Sequence, residues 1–247
     1  MNQGEMTLDT TLFQQLLGEF FGTMILILLG DGAVAANVLK RTKSYDGGWL
    51  MITIGWGLAV SMGIYAASWL SPAHINPAVT LGMAVSGKIG WTMVLPYILA
   101  QVAGAFTGAV LVWLHYIPHF DATDDESAIL AVFSTGPAIK KSKWNLLSET
   151  IATIVLVFVL LAFTLGEFSE GVLPVVTGLL IVAIGISLGG TTGYAINPAR
   201  DLGPRIAHQL LPIANKGGSE WEYSWIPIIG PLFGGIIAAW LFMAMTL

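Results

Sequence analysis

Two Asn-Pro-Ala triplets carry the chemistry this sequence can offer: Asn76, Pro77 and Ala78, then Asn197, Pro198 and Ala199. An Asn can cap the free N–H groups of a helix start and still offer an NH2 donor to a passing oxygen. Pro suits the first helical position, and it removes a donor that would otherwise lack a partner. Each triplet opens a short apolar segment, 76–87 and 197–209, too short to cross a bilayer. One triplet alone reads as an ordinary turn or helix cap. Two at matching places in the chain are a far more specific signal. Arg200 directly follows the second triplet. A cation in a first helical turn is opposed by the helix dipole, and at membrane depth it costs about 2.5–3.5 kcal/mol. The plainer reading of Arg200 is a side chain that snorkels to an interface.

The rest of the inventory excludes more than it adds. There is no cysteine, hence no disulfide, no thiolate metal site and no thiol for mercurials to modify. No nucleophile–base pair, metal cluster or phosphate loop stands out, so neither an enzyme nor a cofactor is expected. The net charge of −5 is spread without acidic or basic runs, which gives no sign of nucleic-acid binding.

Residues of this kind need elements to hold them, and the composition says where those elements lie. The 247 residues are 55% hydrophobic and only 10% charged, far below the roughly 25% of a soluble domain. Six long apolar stretches, roughly 12–39, 49–70, 92–117, 147–165, 172–192 and 225–247, are near or above the length of a transmembrane helix. Helix is the expected form, since lipid leaves no outside partner for backbone groups. The first eleven residues contain no Lys or Arg, unlike a signal peptide, so the first apolar run reads as a retained helix.

The chain also repeats itself. LLGEFFGTMILILLG and HINPAVT in the first half match LLSETIATIVLVFVL and AINPARD in the second. Glu19 pairs with Glu149 at an offset of 130 residues, and Asn76 with Asn197 at 121. The repeats run over about 1–117 and 145–247. The segment 118–144, with Asp121, Asp124, Asp125 and Glu126 followed by three lysines, reads as a solvated connection. Three spans per half invert the second copy, and inverted repeats place their site at the midplane, where broken helices meet. Two half-helices facing N-terminus to N-terminus would each present about half a positive charge, which repels cations and protons. Glycines four residues apart, Gly18/Gly22, Gly104/Gly108, Gly185/Gly189 and Gly230/Gly234, fit closely packed membrane helices.

With these features in place, the chain resembles the major intrinsic protein (aquaporin) family over essentially its whole length. The resemblance implies an all-α membrane fold of six transmembrane helices and two re-entrant half-helices, in a homotetramer with one pore per subunit. It also implies a selectivity filter of Trp56, Gly185, Tyr194 and Arg200. Trp56 lies 20 residues before Asn76; Gly185 and Tyr194 lie 12 and 3 before Asn197. Trp56 or Tyr194 alone would read as helix packing. Water-selective members usually have His where this chain has Gly185, and a small residue at the position of Tyr194. Here Gly185 leaves room, two aromatic rings can face the carbons of a polyol, and Arg200 can bind its hydroxyls. Asp201, Arg205, Tyr116 and Pro227-Ile228 also match the glycerol branch. Tyr194 departs from it, since Phe is usual there.

The family further implies that Glu19 and Glu149 hydrogen-bond the backbone of the re-entrant loops, that Gln101 does likewise, and that His74 lines the cytoplasmic half of the pore. His115, His119 and His208 read as interfacial, and Asp31 as a solvated helix end. The expected function is passive passage of glycerol and related small neutral solutes plus water. Urea, dihydroxyacetone and undissociated small acids stay open as solutes. The rivals are a water-selective channel and a proton-coupled transporter, which would need a titratable pair at the site. Formate–nitrite channels share the architecture but lack the paired triplets. The expected place is a bacterial inner or plasma membrane, with both termini cytoplasmic by family. Lys and Arg run against that orientation, with Lys88 inside and seven basic residues outside.

Overall fold

A computed structural model describes residues 10–246; residues 1–9, which hold most of the segment read as lacking a signal peptide, and Leu247 lie outside the described residues. The described chain is helical, with no strand. In order come α1 (Leu12–Val38), α2 (Trp49–Ala67), α3 (Pro77–Val85), α4 (Val94–Asp121), α5 (Glu126–Phe133), α6 (Ser142–Phe163), α7 (Leu173–Leu188), α8 (Pro198–Leu210) and α9 (Ile226–Thr246).

Local sequence explains the boundaries. Thr11 and Gln14 form a reciprocal capping box at the start of α1. Asn76 and Asn197 cap α3 and α8 with their side-chain oxygens, and Pro77 and Pro198 occupy the first helical positions. α3 and α8 have 9 and 13 residues, about 14 and 20 Å at 1.5 Å each, so each crosses only part of a 30 Å core.

Among the described residues, five helices are long and apolar enough to cross a bilayer: α1, α2, α4 with its preceding turn, α6 and α9. α7 is shorter than the expected 172–192 span, with 16 residues. It ends at Leu188, followed by Gly189, where a β-carbon would collide with Tyr194 and the Gly185 carbonyl. Large apolar side chains, among them Leu58, Leu99, Leu179, Phe233 and Trp240, stand on the outside. Such a surface is natural against lipid and a liability in water.

The interior is built by backbone-to-backbone approach. Gly104 and Gly108 of α4 lie against the Phe20 and Met24 carbonyls of α1, and Gly230 and Gly234 of α9 lie against α6. Each short helix packs on the opposite half: α3 on α9, α8 on α4.

Segment 118–144 differs from the solvated strap expected. α4 continues to Asp121, and α5 follows, capped by Asp125, with Ile129, Val132 and Phe133 fully buried. Those three residues share one face at i, i+3, i+4 spacing, and that face packs on α1 and α8. Hydrogen bonds from Ser127 and Ala128 hold the Asp125 carboxyl below its usual range.

Candidate functional site

The two loops that lead into the triplets are built alike. Ala73 and Ile75 before Asn76, and Tyr194 and Ile196 before Asn197, all adopt positive φ. Left-handed backbone at a non-glycine residue costs about 1–3 kcal/mol, most for a β-branched one, so something must hold it. Glu19 and Glu149 do. Glu19 is fully buried and accepts from the His74 and Ile75 N–H groups at 2.9 and 2.7 Å, from Ser71 Oγ at 2.9 Å and from Gln101 Nε2 at 2.8 Å. Glu149, also fully buried, accepts from the Ala195 and Ile196 N–H groups at 3.0 and 2.9 Å. In a trans peptide the carbonyl points away from the N–H of the same unit. The carbonyls of Ala73, His74, Tyr194 and Ala195 are therefore turned away from the glutamates, and those four residues line the cavity.

The two half-helices meet through their caps. Asn76 Nδ2 donates to the Ile196 carbonyl at 2.8 Å, and Asn197 Nδ2 to the Ile75 carbonyl at 2.9 Å. Their Oδ1 atoms accept from Ala78, Ala199 and Arg200 N–H groups. Each amide has a second hydrogen, and both residues line the cavity. Ala78 and Ala199 are fully buried, and the Ala78 carbonyl is packed against Gly235. His74 also lines the cavity. Its Nδ1 lies 3.2 Å from Thr80 Oγ1, which receives Gln101 Nε2 at 2.9 Å.

The cavity has a volume of about 360 Å³. Trp56, Tyr194 and Arg200 line one part of it, with aliphatic residues such as Val79, Leu156 and Ile181 along the rest. The Arg200 guanidinium lies over the Trp56 ring at 4.0 Å, a cation–π contact. Its Nη1 is buried and has no hydrogen-bond partner among the described residues. Nη1 is turned to Asp31 at 3.6 Å, so it is the remaining guanidinium N–H groups that, with the flat apolar rings, can face both sides of a polyol.

Gly185 acts differently from the opening expected. It does not widen the pore directly; the space beside it is filled. A β-carbon there would lie 2.8 Å from Thr53 Cγ2 and from Tyr194 Cζ, and 2.9 Å from Tyr194 Oη. The glycine lets the Tyr194 ring tuck against α7. Trp49, which sequence reading did not single out, completes the seat: its indole donates to the Gly185 carbonyl at 2.9 Å and meets Tyr194 edge-on. The Tyr194 hydroxyl is buried and has no hydrogen-bond partner among the described residues. Tyr194→Phe should therefore leave solute flux within about twofold, since removing an unpaired buried hydroxyl forfeits no hydrogen bond. Stopped-flow rates of the two proteins in liposomes check this.

Two further residues sit elsewhere than expected. Asp31 is fully buried, because α1 continues past it to Val38 and it faces Arg200 at 3.6 Å. His208 is fully buried between Phe133 and Ser219, since α5 covers it. Asp201 and Arg205 form a closed pair inside the protein. Asp201 accepts from the Thr135 N–H and hydroxyl, and Arg205 binds Asp201 and the carbonyls of Ser219 and Thr135. Arg205→Ala should cost about 3–5 kcal/mol, because it strands the buried Asp201 carboxylate. Thermal denaturation in detergent reads this, and Arg205→Ala/Asp201→Ala should recover part of the loss.

Two half-helices capped head to head, beside a cavity inside a bundle with a lipid-compatible surface, define a membrane pore. The chain belongs to the major intrinsic protein family, whose model matches residues 6–242. It is a multi-pass membrane protein with the fold of that family. It is 64% identical, over 92% of this chain and 95% of the relative, to glycerol uptake facilitator protein 3 of Lactiplantibacillus plantarum. It is 55% identical, over 94% of this chain and 99% of the relative, to the glycerol uptake facilitator protein of Streptococcus pneumoniae strain R6. The solved aquaglyceroporin of Plasmodium falciparum superposes with a TM-score of 0.78 at 31% identity, covering 94% of this chain and 96% of that one.

Proposed function

We propose that this protein is a passive channel for glycerol and similar small neutral solutes, with water passing as well, and that Trp56, Gly185, Tyr194 and Arg200 are its selectivity filter. The observation that carries this reading is the pairing of two aromatic faces with the Arg200 guanidinium in one cavity. A polyol has carbons on one side and hydroxyls on the other, and this lining suits both. The paired Asn76 and Asn197 amides, with their helix N-termini, favour oxygen-bearing neutral solutes and oppose cations.

A proton-coupled transporter would need a titratable pair facing the solute. Glu19 and Glu149 instead spend their oxygens on loop N–H groups. Downhill glycerol entry into liposomes should be unchanged by an imposed pH gradient or a protonophore. Dependence on either would favour the transporter reading.

The working unit is a homotetramer in a bacterial plasma membrane, with both termini cytoplasmic. The repeats, about 1–117 and 145–247, each supply one half-helix. The excess of basic residues on the outer side is partly offset: Lys40 pairs with Asp124, Lys140 with Glu222, and Lys216 donates to three carbonyls at the end of α8.

A further inference from the structure

Asp31 is an acidic residue that nothing in the pore reading uses. It lies inside α1, fully buried, and neither carboxylate oxygen has a hydrogen-bond partner among the described residues. A carboxylate so placed is strongly unfavourable unless an opposite charge compensates it. Arg200 is that charge: its Nη1 stands 3.6 Å from Asp31 Oδ1, with side chains only 8% and 0% exposed. The distance is long for a hydrogen bond but well within an ion pair.

The geometry behind the filter is specific. Gly30, next to Asp31, backs the Trp56 ring so closely that a β-carbon would collide with it. Consecutive residues of α1 thus support the two side chains that stack on each other, Trp56 and Arg200. Asp31 itself is not part of the cavity wall, whereas Trp56 and Arg200 are. The other nearby acid, Asp201, is taken by Arg205 and Thr135. Asp31 is therefore the counter-charge left for Arg200 among the described residues.

We propose that Asp31 is a specificity-determining residue that neutralises Arg200 from behind, so that the filter offers guanidinium donors without a net positive charge. This rests on the reading of Arg200 as part of the filter. A compensated filter neither gathers anions nor gives up its hydroxyl-binding donors. In Arg200→Val the space vacated by the guanidinium admits water to Asp31, and the hydrated carboxylate stands as a lone negative charge beside the pore. Without Asp31, Arg200 would become an anion site.

Three variants with charge readouts test this in reconstituted liposomes. Arg200→Val should raise the leak of protons and sodium, and Arg200→Val/Asp31→Asn should remove most of that increase, by about tenfold. Asp31→Asn keeps the shape and an acceptor oxygen. Its glycerol entry should fall about threefold when gluconate is replaced by nitrate at equal ionic strength, while wild type is unaffected. Equal leaks in the single and double Arg200 variants would overturn the proposal, as would a salt-insensitive Asp31→Asn. Should Arg200→Val fail to reconstitute, the nitrate response of Asp31→Asn decides alone. A merely structural Asp31 would change glycerol and water flux alike in both salts, which also overturns it. If wild type itself passes no glycerol, the proposed solute fails, and the leak comparison still decides the role of Asp31.

Discussion

Glu149→Ala should close the second half of the pore lining and reduce glycerol flux at least tenfold. The variant leaves the Ala195 and Ile196 N–H groups buried without an acceptor. At about 1–3 kcal/mol for each stranded group, the loss is roughly 2–6 kcal/mol. Tyr194 and Ile196 would then have no reason to keep their positive φ, and relaxation there releases strain. The Tyr194 ring and the Asn197 amide would leave the cavity wall together. Glu149→Gln keeps one acceptor oxygen and should fall between. Flux per reconstituted protein, beside a thermal denaturation curve in detergent, separates a misplaced loop from an unfolded chain. A Glu149→Ala protein with wild-type flux would mean that the carboxylate does not hold the loop.

The second large effect is expected at Gly185. Gly185→Ala adds one methyl where 2.8 Å separates the new atom from both Thr53 and Tyr194. The packed α2–α7 contact leaves Thr53 little freedom, so the ring must swing toward the cavity. Glycerol flux should fall at least tenfold and water flux less, because a single-file water needs a smaller opening. Gly185→His should show the same split more strongly. Gly185→Ala/Tyr194→Ala should restore much of the glycerol flux by removing the displaced ring. Stopped-flow rates for both solutes decide it. Full glycerol flux in Gly185→Ala would show that the ring can be accommodated elsewhere.

These predictions show where sequence reading stops. The six apolar runs and the two Asn-Pro starts are local features, and the helices follow them to within five residues at either end. The hydrogen bonding of Glu19 and Glu149 to the loops, expected from the family resemblance, is seen in the geometry. Other features depend on partners far along the chain. Asp31 reads as a solvated end because one acid in an apolar run carries no sign of the cation it faces; only the fold brings Arg200 to it. Gly185 reads as empty space because a sequence cannot say which neighbour fills the gap. α5 had a visible signal, Asp125 as a cap before Ile129, Val132 and Phe133 on one face, masked by the acidic residues around it. His208 was hidden for the same reason, since α5 is what buries it.

The account as a whole turns on whether the wild-type filter passes a polyol. The direct measurement is stopped-flow light scattering on liposomes holding the full chain, comparing glycerol and water permeability with those of empty liposomes. The account predicts that both rise, glycerol at least tenfold above the bare bilayer. A rise in water permeability with glycerol left at the empty-liposome rate would contradict it.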